Sequence, residues 1–427
     1  MTPTPAPSRL ARRLHLSDAV ILGLGAMVGA GIFAAVGPAA RAAGPALLLG
    51  LLLAAFVAYC NATSSAQLAA LHPESGGTYV YGKKRLGHYW GYLAGFGFVF
   101  GKLASCSAMA LTFGSYVAPA LSRPLALAAV VALTALNLRG VHKTARATAA
   151  IVTVVLAVLA LSVAAIWLGG SVEWARLLPD ADRTDPGGVL QAAGLLFFAF
   201  AGYARLATLG EEVIDPTVTI PKAIPRALGI TLLVYTVVLG SALLAVGAPA
   251  LAASPAPLAT AVAASGFAWM APVVRVGAAV ASLGVLLSLV VGVSRTTFAM
   301  AAAGDMPRLF AAVHPRFHVP HRAEVAVGVV VGTVVIFADL REAIGFSSFA
   351  VLVYYGVANA AALTLGESER RWPKWIAAAG VGGCLLLAFA LPVASVVAGL
   401  ALFAVATAVF LLRNRAGTGF RPSSAGR

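Results

Sequence analysis

The sequence predicts an all-α polytopic membrane protein of twelve transmembrane helices. Ten of them form a 5+5 inverted repeat with helices 1 and 6 broken, and two more follow at the C-terminus. Three observations carry this. Of 427 residues, 60% are hydrophobic and 11% charged, a balance far from that of a soluble globular chain. A window of about 19 residues finds apolar spans near 17–37, 44–70, 89–119, 124–138, 148–170, 187–209, 227–248, 270–303, 323–338, 343–364, 375–391 and 393–412. Glycine-containing interruptions fall inside the first and sixth of these, "GAGIF" at 29–33 and "FFAFAGYAR" at 197–205.

In chain order, residues 1–14 form a Pro-rich, basic tail with no cleavage site ahead of a polar domain, so the first span is its own insertion signal. Residues 15–170 hold helices 1–5, 187–364 hold helices 6–10, 372–413 hold helices 11–12, and 414–427 form a second tail. Five is odd, so the second half enters the membrane upside down relative to the first. Of the 30 Lys and Arg residues behind the net charge of +15, 22 fall on the side of the amino terminus and five on the other. Lys102, Arg205 and Arg275 remain in or at the edges of spans. This asymmetry places both termini in the cytoplasm and the chain in the plasma (inner) membrane. The basic loops meet membrane lipid, and nothing about them reads nucleic acid. Cys60, Cys106 and Cys384 are spaced as neither a disulfide set nor a metal site and read as small apolar residues.

A chain of spans without a soluble domain moves something through the membrane or senses it there. An unwound membrane helix frees amides and carbonyls that hydrocarbon cannot satisfy, so a break persists where it lines a cavity or meets a ligand. The half-helix that begins near Gly31 points N–H groups and a positive dipole end at the break, a seat for a carboxylate. Carbonyls freed near Met27, Phe198 and Ala201 accept from an ammonium, so a zwitterion fits both sides. Gly25 and Gly29 also form a GxxxG pair, which reads equally as close helix packing. "GAGIFA" mimics a dinucleotide fingerprint, but no strand precedes it.

Charge within the bilayer is expensive, which makes each instance a functional candidate. No Asp or Glu sits deep in a span, so a carboxylate proton relay has no evident residues. Lys102 stands well inside span 3 and reads either as a desolvated carrier of a coupling proton or as a structural lysine held by carbonyls. Arg205 follows the break in span 6 and needs an anionic partner, from substrate or structure. Glu211, Glu212, Asp215 and Pro216 end span 6 and read as caps, turns and gate contacts. No nucleophile–base pair, metal set or cofactor signature is present, and no GxxxxGK[ST] motif supports ATP coupling.

Five motifs, in order, resemble the amino acid permeases of the amino acid, polyamine and organocation (APC) superfamily. They are "GAMVGAGIF" (25–33), "HPESGGTYVYGKKRLG" (72–87), "NLRGVHKTARA" (137–147), "FFAFAGYARLATLGEEVIDPTVTIPKAI" (197–224) and "SRTTFAMAAAGDMPRLFAAVHPRF" (294–317). The resemblance implies a leucine-transporter-like fold and a secondary active transporter that works by alternating access, as proton symporter or antiporter. It implies an amino acid substrate with its carboxylate at Gly29, Ala30 and Gly31 and its amino group at the carbonyls of Met27, Phe198 and Ala201, beside Gly202. Phe198 resembles the aromatic gate of span 6, and Phe200, Lys102, Arg205, Glu211 and Glu212 are further coupling or gating candidates. Side-chain contacts are expected from Ser105, Cys106 and Met109 on span 3 and Ser347 or Ser348 on span 10. Two departures stand out: Ala30 replaces a serine of many relatives, and Val155 replaces the span 5 lysine of some cationic amino acid transporters. The alternatives are a polyamine or organocation exchanger, an amino acid sensor that no longer transports, and a channel.

Overall fold

The computed structural model describes residues 14–72, 76–140, 145–177, 185–203, 206 and 213–415. The described residues are helical, with an isolated bridge between Leu14 and Val213 and no strand. The first span is two helices, α1 (Leu16–Met27) and α2 (Gly31–Ala43). A short 3-10 turn leads into α3 (Leu47–Leu71), and a surface helix α4 (Thr78–Arg85) precedes α5 (His88–Val117). Then come α6 (Ser122–Leu138), α7 (Ala145–Leu168) and α8 (Pro186–Phe200), which passes into a 3-10 turn at Ala201–Tyr203. The chain continues with α9 (Pro216–Ala253), α10 (Pro257–Ala264), α11 (Ala271–Ala302) and α12 (His321–Phe337). It closes with α13 (Leu340–Leu363), α14 (Lys374–Ala390) and α15 (Val393–Arg415).

Nine stretches among the described residues are long and apolar enough to cross a membrane, and Leu16–Met27 and Lys374–Ala390 are shorter apolar helices. One of the nine, Gly31–Leu71, joins half of the predicted first span to the whole of the second. Another, Pro216–Ala253, is bent at Gly247, whose φ of 74° only glycine adopts readily. The chain is an integral membrane protein.

The core is built on α5, which packs most extensively against α13 and α11. Small residues make this possible: a Cβ on Gly101 would lie 3.0 Å from that of Ala350, and one on Gly97 would lie 3.1 Å from the Ala350 carbonyl oxygen. In lipid, where hydrocarbon already surrounds every apolar side chain, close backbone approach of this kind is what holds helices together. The broken helices lie beside this core, with α8 against α2 and α3 and α1 against α9.

At the end of the molecule that carries the basic loops, α4 is tied down by polar contacts. The Tyr79 hydroxyl donates to Asp305 at 2.5 Å, Lys83 Nζ reaches the same carboxylate at 3.3 Å and His88 Nε2 at 2.7 Å. Burial, and then the Asp305 carboxylate, push the Tyr79 hydroxyl well above the ordinary range for a phenol. Arg85 holds Glu369 in a two-pronged pair at 2.7 and 3.1 Å, which lowers that carboxyl below its usual value.

Candidate functional site

The break in the first span is real and short. Helix α1 ends at Met27, Val28 N–H closes its last turn on Leu24 O, and α2 restarts at Gly31 with Ala30 at its N-cap. Ala30 O accepts from Ala34 N at 2.9 Å, but alanine offers no side-chain oxygen to the first N–H groups of α2. These donors and the positive end of the half-helix dipole lie beside α8, whose Ala199 abuts Gly31.

Glycine lets the two interruptions touch. A Cβ on Gly202 would fall 2.1 Å from Ala26 O and 2.8 Å from Met27 N. One on Gly31 would fall 2.8 Å from Ala199 Cα. The GxxxG pair has its own partners, Gly25 against Val152 and Thr148 of α7 and Gly29 against Val285 of α11. Gly25 and Gly29 therefore seat the first helix against its neighbours, while Gly31 and Gly202 bring the breaks together.

The freed carbonyls meet two donors that the sequence did not suggest, and one, Lys102, that it did. The Tyr235 hydroxyl, on α9, donates to Met27 O at 2.6 Å and lies 3.1 Å from Ala199 O. On α13, the Tyr355 hydroxyl donates to Ala201 O at 3.3 Å, and Lys102 Nζ, on α5, donates to the same oxygen at 3.4 Å. The Ala201 N–H turns back to Phe197 O and Phe198 O. Tyr355 is wedged between Tyr203 and Phe197, with ring centroids 4.9 and 5.9 Å away. Main-chain polarity at the breaks is thus satisfied in large part by two tyrosines and a lysine from three other helices. Nothing in the local pattern of α9 or α13 marks these tyrosines, because their reach depends on how the helices pack.

Of the residues expected on α5 and α13, Ser105 and Ser347 meet, with their hydroxyl oxygens 2.7 Å apart. Ser348 is buried, and its hydroxyl has no partner among the described residues. Cys106 and Met109 are buried on α5 and make no hydrogen bond to the broken helices among the described residues. Phe198 is 9% exposed, whereas Phe200 is fully buried against Tyr235 at 5.2 Å and belongs to the packing. Arg205, Glu211 and Glu212 lie outside the described residues.

Two expectations need correction. Asp215 and Pro216 do occupy the N-cap and first position of α9, but Asp215 sits at φ 46° and its side chain makes no capping bond. Cys384 does not behave as an apolar residue, since its thiol donates to Asn61 Oδ1 at 3.2 Å beside Asn359. Glu324, in the first turn of α12, is only 1% exposed, with Oε2 unpartnered among the described residues; it stands at a span end, so no described carboxylate lies deep in a span.

Comparison with known proteins agrees with this architecture. A family model described as amino acid permease matches residues 14–420. An uncharacterized transporter of Mycobacterium tuberculosis is 58% identical over 97% of this chain and 94% of its own. The branched-chain amino acid permease BcaP of Bacillus subtilis is 27% identical over 83% of this chain and 82% of its own. The methylthioribose transporter of the same organism is 29% identical over 95% of this chain and 94% of its own. An interrupted first helix facing the end of α8 in an integral membrane chain, together with a family match across nearly its whole length, makes this protein a member of the amino acid permease family of the APC superfamily, a transporter rather than an enzyme.

Proposed function

We propose that this permease is a secondary active transporter that carries an amino acid across the plasma membrane by alternating access, with both termini in the cytoplasm. Its twelve spans are helix 1 (α1 and α2), α3, α5, α6, α7, the helix that opens with α8, α9, α11, α12, α13, α14 and α15. The first ten form the two inverted halves.

The substrate carboxylate sits on the N–H groups of Gly29, Ala30 and Gly31, where α2 begins without a side-chain cap. The amino group uses the second lone pair of Met27 O, whose first is taken by Tyr235, together with the Phe198 carbonyl; the Ala201 carbonyl is taken by Tyr355 and Lys102. Ser105, Cys106, Met109, Ser347 and Ser348 shape the wall opposite, and Phe198 closes the site. Coupling is by proton symport or by exchange. The observation that carries this reading is the backbone contact of Gly202 with Ala26 and Met27, which joins the two breaks into one polar junction inside an apolar bundle.

The test is uptake by purified protein in liposomes, using the twenty amino acids and methylthioribose as labelled substrates, with and without a pH gradient. Saturable uptake of an amino acid, accelerated by unlabelled substrate inside the vesicle, is expected. Linear conductance, binding without flux, or uptake of methylthioribose alone would each overturn it.

A further inference from the structure

The junction between the broken helices holds a positive charge with no counter-ion among the described residues. Lys102 is 7% exposed, and its ammonium donates to Ala201 O. The ion pairs among the described residues all lie elsewhere, so no described carboxylate compensates it. The Ala201 oxygen, which would otherwise receive a substrate ammonium, has both lone pairs engaged, one by Lys102 and one by Tyr355. Close by along the same helix end, Ala199 abuts Gly31 at the uncapped start of α2, which is a second positive feature. Both features converge on a junction buried within the bundle, where an unpaired charge is costly and needs an anion to offset it.

We propose that Lys102 is the charge-selecting residue of the substrate site: it favours a carboxylate cargo of zero or negative net charge and excludes cargo with a second ammonium, such as dibasic amino acids and polyamines. This rests on the amino acid carrier reading above. The bound carboxylate supplies the missing anion. A second cation about 6 Å from Lys102 at an effective dielectric of about 20 is disfavoured on the order of a hundredfold. Lys102 thus gives this chain a different route to cargo choice from geometry alone, because the size of the cavity does not enter.

The experiment compares norleucine with lysine, which differ by one ammonium, and glutamine with glutamate, by competition against the best substrate in proteoliposomes. The wild-type protein is expected to prefer norleucine to lysine by about a hundredfold and to accept glutamate at least as well as glutamine. Lys102→Met should bring the norleucine:lysine ratio down at least tenfold, while Lys102→Arg, which keeps the charge, should retain the wild-type ranking. Wild-type protein that takes lysine as readily as norleucine overturns the proposal, whether or not Lys102→Met folds. So does a folded Lys102→Met whose ranking is unchanged. If the wild-type protein takes up no amino acid, the carrier reading fails as well; if it takes up norleucine with no discrimination by charge, only the role of Lys102 fails.

Discussion

Helices α5 and α15 are both long and apolar enough to cross a membrane, yet they face opposite environments. In α5, 78% of the most apolar stretch is buried inside the protein; in α15 the share is 17%. The difference is written in residue size. Along α5, Gly91, Ala94, Gly95, Gly97, Gly101, Ala104, Ser105 and Ala108 are all buried, and Lys102 among them donates to the Ala201 carbonyl. Along α15, Val393, Val397, Leu400, Val405, Leu411 and Leu412 stand exposed and meet lipid. Hydropathy alone reports that a helix spans; small residues and a buried charge report that it lies at the centre. The less apolar of the two is the one that carries the buried charge.

Three substitutions sharpen that contrast. The largest effect is expected at the junction itself. Gly202→Val would force side-chain atoms into the Ala26 carbonyl, 2.1 Å from where even a Cβ would lie, so the breaks cannot stay in contact. Uptake should fall at least about a hundredfold, since even a displacement of about 1 Å in a positioned site costs that much, and uptake within tenfold of wild type would count against the packing described. Tyr235→Phe keeps the ring against Phe200 but leaves Met27 O and Ala199 O without their donor. A buried acceptor left unpaired costs about 1–3 kcal/mol, to be read as a lower unfolding temperature and weaker substrate affinity. The smallest effect belongs to the lipid face: Leu400→Ala should change stability by no more than about 0.5 kcal/mol and leave uptake unaltered. A large loss there would mean that α15 is buried against a partner.

Much of this arrangement was legible in the sequence, for a physical reason. Glycines inside apolar runs are costly unless they serve a break or a close approach, and Gly31 and Gly202 serve both. Lys102 was visible because a lysine amid apolar residues is expensive, and the Ser105–Ser347 contact followed from two small polar residues expected to face one site. Tyr235 and Tyr355 were not visible. A tyrosine near a helix midpoint reads as packing, and only the tertiary arrangement shows its hydroxyl aimed at a freed carbonyl. Asp215 misled for the opposite reason: the residue type suits a cap, but a left-handed backbone turns its side chain away from the helix start. Glu324 was overlooked because a carboxyl in the first turn of a span reads as solvated until burial is known.

The central claim is that the two interruptions together form the substrate site. Hydrogen–deuterium exchange of the protein in lipid nanodiscs, with and without a saturating amino acid, tests it most directly. Slower exchange confined to peptides covering 27–32 and 197–203 is predicted. Unchanged exchange there, with binding intact and protection appearing elsewhere, would contradict it.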